Sequence, residues 1–156
     1  MKKTNIASGQ FEFNPEDPPG YESARMRLTP LVGGSKLGGS VYLLPPSTAL
    51  CPYHFEWGEE EWLVVLEGRP SVRHPDGTET LEPWDVVCFP RGPEGAHKVF
   101  NDGDAPARVL MISEVTYPTA TYYPDSDKVG VWTGEGEHDL MVKRSSSVGY
   151  WEGEGG

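Results

Sequence analysis

Cys51-Pro52-Tyr53-His54-Phe55-Glu56-Trp57-Gly58-Glu59-Glu60-Glu61-Trp62-Leu63-Val64-Val65-Leu66-Glu67-Gly68 is the stretch on which the reading of this 156-residue chain turns. Alternate residues of a strand point the same way, so His54 and Glu56 face one space. After an acidic turn, Glu61, Leu63 and Val65 make the inward set of a further strand, Trp62 and Val64 make the outward set, and Gly68 ends it. An imidazole and carboxylates entering an apolar β-face predict a polar site inside a β-structure.

The flanks carry the same β texture. Ser40–Leu44, Ser71–His74, Thr78–Leu81, Asp85–Phe89, His97–Phe100 and Arg108–Glu114 read as strands, separated by proline- and glycine-containing turns. Pro75-Asp76-Gly77 is a hairpin signal, because Asp-Gly supplies the positive φ such a turn needs. Arg25–Leu31 reads as an earlier strand and Gly33–Gly39 as a flexible turn. That turn lacks the Gly-Lys-Ser/Thr ending and following helix of a phosphate loop, so no nucleotide cofactor is expected. Thr119–Tyr123, Val129–Trp132 and Leu140–Lys143 are weaker strand candidates. No window shows a period of about 3.6 residues over helical length. Short strands recurring at roughly 8–12 residues predict an all-β sandwich or barrel. The expected organisation is an extended, proline-rich arm over residues 1–22, a barrel over 23–116, and a C-terminal extension over 117–156. The extension either covers the barrel mouth or wraps a partner.

A chain this long buries roughly two thirds of its unfolded surface, enough for one self-sufficient core. The net charge of −11 argues against binding to nucleic acid, which requires a basic face, and against docking on anionic membranes. Cys51 and Cys88 do not make a disulfide framework, and their apolar contexts predict buried free thiols. With no apolar leader behind Met1-Lys2-Lys3 and no run long enough to span a bilayer, a cytoplasmic protein is expected.

Two motifs in residues 43–114 resemble those of the cupins. In the family a His-x-His pair precedes a glutamate and a glycine; here the run is His54-x-Glu56, Glu61 and Gly68. The second family motif, Pro-x-Gly followed by histidine and asparagine, is matched by Pro90-x-Gly92, His97 and Asn101. The run Phe89–His97 further resembles small single-domain bacterial cupins of the conserved-barrel type, whose function is uncharacterised. The resemblance implies a double-stranded β-helix, a jelly-roll-like barrel. Three departures stand out: Glu56 replaces the second histidine, Ser47 and Trp84 occupy positions where glycine is usual, and the gap from Gly92 to His97 is long.

Carried over residue by residue, the resemblance implies metal ligands at His54, Glu56, Glu61 and His97, holding a divalent ion: Mn, Fe, Zn or Ni. Two inward carboxylates about 5 Å apart repel by roughly 3 kcal/mol at an effective dielectric near 20, a cost that a cation removes. Two neutral imidazoles and two carboxylates give a formally neutral centre, hence a weaker Lewis acid than the usual three-histidine set. Glu59 and Glu60 are alternatives to Glu61, which the inward alternation with Leu63 favours. His74 and His138 are expected to be exposed, Asn101 to cap a turn, Cys88 to lie in the core, and Trp62 to serve packing or an interface. Trp57 and Trp84 are candidates to line a pocket. Two functional readings stand: a metal-dependent enzyme acting on a small polar metabolite, or a non-catalytic module binding a sugar or metabolite. No catalytic residue is assigned. Cupins commonly pair through a sheet edge, so a homodimer is expected.

Overall fold

The computed structural model describes residues 1–155; Gly156, the last residue of the expected extension, lies outside them. The strands, in chain order, are β1 (Glu12–Phe13), β2 (Ala24–Arg27), β3 (Leu37–Leu44), β4 (Thr48–Ala49), β5 (Phe55–Glu56), β6 (Glu61–Glu67), β7 (Ser71–His74) and β8 (Gly77–Thr80), followed by β9 (Val86–Phe89), β10 (Lys98–Asn101), β11 (Ala107–Glu114), β12 (Thr119–Tyr123), β13 (Lys128–Trp132) and β14 (Leu140–Lys143). They form three antiparallel sheets, ordered β1-β2-β3-β11-β6-β9, β4-β10-β7-β8 and β14-β13-β12-β5. The architecture is the all-β double-stranded β-helix that the motifs imply. Among the described residues, no helix is long and apolar enough to cross a membrane.

The first two sheets face each other across one apolar core: Leu44, Leu63, Val65, Val72, Leu81, Phe89, Val99, Ala107 and Val109. On β6 the alternation runs as the sequence predicts. Leu63 and Val65 are fully buried, while Trp62 is 45% exposed on the opposite face. Gly68 turns the chain out of β6 at φ +75°, and a Cβ there would stand 2.7 Å from the Cα of Ala107. No other residue fits that approach.

Three expectations are corrected. The strand read over Arg25–Leu31 stops at Arg27, and Thr29–Val32 is one helical turn, α1, with Pro30 in its first turn and Gly33 closing it at φ 76°. Pro30 has no N–H to give a ladder and suits a helix start. The flexible turn read over Gly33–Gly39 ends early, because Gly38 and Gly39 belong to β3 and pair with Ser113 and Ile112 of β11. Cys88 is exposed rather than in the core; it pairs with outward-facing Trp62, while its neighbour Phe89 is the residue that turns inward. Cys51 is partly buried, and both cysteines are free.

Ser47 and Trp84, the positions where the family's glycines are expected, have φ of +63° and +76°. The left-handed turns are kept although their residues are not glycine, and such a conformation costs an ordinary residue roughly 1–2 kcal/mol. Trp84 is 74% exposed, so its ring contributes little packing. Replacing it, Trp84→Gly, is therefore expected to raise the urea unfolding free energy by about 0.5–1 kcal/mol, whereas Gly68→Ala lowers it.

Candidate functional site

The three sheets meet at one point. His54, just before β5, and His97, just before β10, form an isolated antiparallel bridge. The His54 N–H donates to the His97 carbonyl at 3.0 Å, and the His97 N–H donates to the His54 carbonyl at 2.8 Å. The ring centroids are 4.6 Å apart. Glu61, the first residue of β6, arrives from the third side. Its Oε2 lies 3.4 Å from His97 Nε2 and 3.8 Å from His54 Nε2. His54, Glu61 and His97 thus offer three ligand atoms mutually within 4.8 Å.

Both rings are oriented by their far nitrogens. Nδ1 of His54 is 2.9 Å from the Pro52 carbonyl, and Nδ1 of His97 is 2.9 Å from the Gly95 carbonyl. A carbonyl only accepts, so each Nδ1 carries the proton and each Nε2 presents its lone pair to the centre. Phe89 stacks on His97 at 3.7 Å between centroids, and Tyr123 stacks on His54 at 5.8 Å. Gly95 makes the His97 turn possible: a Cβ there would sit 1.7 Å from the Pro90 carbonyl oxygen.

Glu56 stands beside this trio rather than within it. Its Oε1 is 3.7 Å from His54 Nε2, and its Oε2 accepts a 2.6 Å hydrogen bond from Thr121 Oγ1. Glu59 and Glu60, the alternatives to Glu61, turn elsewhere. Glu59 accepts from the Thr116 N–H, and Glu60 accepts from the Trp62 indole N–H.

Burial dominates the electrostatics. It pushes Glu61 up to about 8, reinforced by the charges of Glu56 and Glu59. Burial also raises Glu56 to about 7 against the opposing Thr121 hydrogen bond. His97 is held down to about 3, by burial and then by His54. His54 is lowered by burial as well. Glu61 Oε2 and His97 Nε2 are buried without a hydrogen-bond partner. Such orphaned atoms are costly unless something binds them. A divalent cation fits this donor set: two imidazole lone pairs already oriented from behind, and a carboxylate oxygen between them.

Residues 40–113 match the cupin domain family. The stretch from β3 to β11 is thus similar to a cupin domain. A candidate sugar phosphate isomerase from Acidithiobacillus ferrooxidans is similar at TM-score 0.82 and 23% identity, over 92% of this chain and 91% of that one. A cupin-superfamily sugar phosphate isomerase from Silicibacter pomeroyi gives 0.81 and 22%, over 96% and 98%. The polyketide cyclase RemF from Streptomyces resistomycificus gives 0.61 and 24%, over 73% and 79%. At these identities the likeness establishes the fold. No curated protein matches the sequence.

Asn101 is buried and ties its turn to the barrel. Its Nδ2 donates to the carbonyls of Leu44 and Ala105, and its Oδ1 accepts from the Gly103 N–H. His138 is exposed, and His74 is half-buried beside Glu79. Neither approaches the centre. Sequence reasoning passed over Thr119, Thr121 and Tyr123, which alternate along β12. Thr121 holds Glu56 and Tyr123 stacks on His54. The i, i+2, i+4 spacing of hydroxyl side chains was the available signal.

The shifts give a signed pH dependence for the metal-free protein. Glu61 titrates near 4.5 when unfolded and about 8 when folded, so the folded state keeps a proton that the unfolded chain releases. Stability therefore falls as pH rises through that range. His97, lowered from 6.5 to about 3, acts oppositely: its contribution is present above the unfolded value and is lost as pH drops. Between roughly pH 6.5 and 8 only the carboxylate effect remains. Thermal midpoints of chelator-treated protein are expected to decline across that window, and Glu61→Gln is expected to flatten the decline.

Proposed function

We propose that this protein holds one divalent metal ion through His54, Glu61 and His97, with Glu56 as the fourth group, and that it acts on a small polar metabolite at the barrel mouth. The observation that carries the reading is the convergence of two back-anchored imidazoles on a buried, unpartnered Glu61 oxygen. Nitrogen and oxygen donors suit Mn, Fe, Zn or Ni. Bound there, the ion would act as a Lewis acid toward a substrate oxygen.

The chain's own residues supply the rest. His54 and His97 hold their lone pairs inward without carrying protons. Glu56 is fixed on one oxygen by Thr121, which leaves its other oxygen facing the centre as the group that would take up and return a proton. A base beside a Lewis acid suits proton transfer between neighbouring carbons of a hydroxy-carbonyl compound. Two structural look-alikes are named as sugar phosphate isomerases, one of them as a candidate. This favours an enzyme over a passive binding module.

Metal analysis of protein purified without an affinity tag is expected to give about one equivalent per chain. His97→Ala and His54→Ala are expected to lose it, while Glu56→Gln retains it with affinity reduced about tenfold. Protein without stoichiometric metal, and without a thermal shift on adding Mn, Fe, Zn or Ni, overturns the reading.

We also infer a homodimer. Leu37, Trp62, Val64 and Ile112 line an apolar hollow on the outer face of the six-stranded sheet, and β9 is its exposed edge, with Val86 55% exposed. Light scattering should give twice the 17.2 kDa chain mass, and Trp62→Lys should reduce it to the monomer. A monomeric mass for the unaltered protein refutes the pairing.

A further inference from the structure

Every described residue from Gly134 onward is exposed, including Leu140, Met141, Val142, Val148, Tyr150 and Trp151. Up to Ser147 this stretch is held in place: β14 pairs with β13, and the Ser145 N–H donates to Asp127. Among the described residues, no hydrogen bond ties residues 148–155 to the rest of the molecule. Their own bonds are internal turns, with the Glu152 N–H donating to the Gly149 carbonyl and the Glu154 N–H to the Trp151 carbonyl. The rings of Tyr150 and Trp151 pack edge to face on each other, 4.7 Å between centroids, and are 85% and 76% exposed. Neighbouring tyrosine and tryptophan rings left in water make the kind of surface that a partner covers.

A cleft of about 380 Å³ runs along β2 and α1, where Arg25, Arg27 and Glu12 line it beside Met26, Pro30 and Leu31. Alternation on β2 exposes Arg25 and Arg27 on one face and buries Met26 on the other. Arg69, Arg73, Arg91 and Arg108 are each paired with a carboxylate, and Arg144 lies over the Tyr122 ring. Arg25 and Arg27 are in no ion pair among the described residues, although Glu12 stands opposite Arg25 across the β1–β2 ladder. One carboxylate against two guanidinium groups leaves the cleft positive. The Lys2 side chain adds to this where it lies beside Gly33 at the end of α1. Positive ground of this kind is scarce on a chain of net charge −11.

The two features are complementary. Residues 148–155 carry two acids, Glu152 and Glu154, and no base. These acids are two residues apart, as are Arg25 and Arg27, and carboxylate–guanidinium contacts are strong charge-assisted pairs. Tyr150 and Trp151 bring rings that stack on guanidinium planes and cover Met26, Pro30 and Leu31. A free phosphate would take the arginines but leave that apolar wall in water. We propose that residues 148–155 of one copy of the chain dock in the β2–α1 cleft of a second copy, reciprocally about a two-fold axis. Exposed Leu31 and Val32 of α1 lead from the cleft to Leu37, which lines the hollow assigned above to the pairing of copies. The docking extends that surface, and it rests on the homodimer reading.

Two charge reversals test it: Arg25→Glu with Arg27→Glu in the cleft, and Glu152→Arg with Glu154→Arg in the segment. All four side chains are exposed, and thermal midpoints check that both variants are folded. In sedimentation equilibrium each variant alone is expected to dimerise about tenfold more weakly than the unaltered chain, and the unaltered dimer to weaken with added salt. An equimolar mixture of the two variants is expected to regain the unaltered affinity, because in a mixed dimer each cleft meets a segment of opposite charge. A segment that docks on its own copy gains nothing from mixing, so a mixture no tighter than its components overturns the exchange. Variants that dimerise as tightly as the unaltered chain overturn the docking and leave the homodimer standing. A loss confined to the cleft variant gives the cleft another occupant and likewise overturns the docking. A monomeric unaltered chain overturns the homodimer reading and the docking with it.

Discussion

Two backbone hydrogen bonds between His54 and His97 organise the molecule's chemistry. They join the sheet that contains β5 to the sheet that contains β10, at the point where β6 of the third sheet begins. A bridge of this kind fixes the two Cα positions, and the carbonyls of Pro52 and Gly95 then fix the rings. Neither ring is free to turn its Nε2 elsewhere. The same short stretch of backbone closes the barrel end and assembles the ligand set, so a change that loosens one loosens the other.

The arrangement is expensive without a counter-charge. Moving Glu61 from 4.5 to about 8 corresponds to something on the order of 5 kcal/mol between its two protonation states, comparable with the whole stability of a small domain. Such a residue stays protonated or finds a cation. The apolar core next to it, with Leu63 and Val65 fully buried on the same strand face, makes the burial unavoidable. Hydrophobic packing and metal affinity here come from one alternation pattern: the residues that order the strand set the dielectric around its first member.

Much of this was legible in the chain. Period-two alternation over Glu61, Leu63 and Val65 distinguishes Glu61 from its acidic neighbours, and the structure sends Glu59 and Glu60 to other partners. The hairpin at Pro75-Asp76-Gly77 was legible because its turn signals are local, although the two-residue turn is Pro75-Asp76 and Gly77 opens β8 opposite His74. Less legible was whatever depends on distant partners. Gly38 and Gly39 look like a loop until β11 supplies a ladder for them. Cys88 looks like core until its pairing with Trp62 fixes which face it shares. Thr121 carries no mark of its role, because that role exists only once β12 pairs with β5 and sets Thr121 opposite Glu56.

That last pairing explains how a carboxylate is tolerated where the family has an imidazole. A histidine at this position would need an acceptor behind it; a glutamate needs a donor, and the Thr121 hydroxyl is one at 2.6 Å. The hydroxyl is itself steadied by the Trp132 indole N–H at 2.7 Å, so the donor chain runs from β13 through β12 to the edge of the centre. One Glu56 oxygen is committed to that chain and the other faces His54. The C-terminal sheet is therefore part of the site's chemistry rather than a cover laid over it. Glu56 and the strands that follow Tyr117 depend on one another here, since Glu56 would lack its donor without β12 and Thr121 would lack its carboxylate acceptor without Glu56.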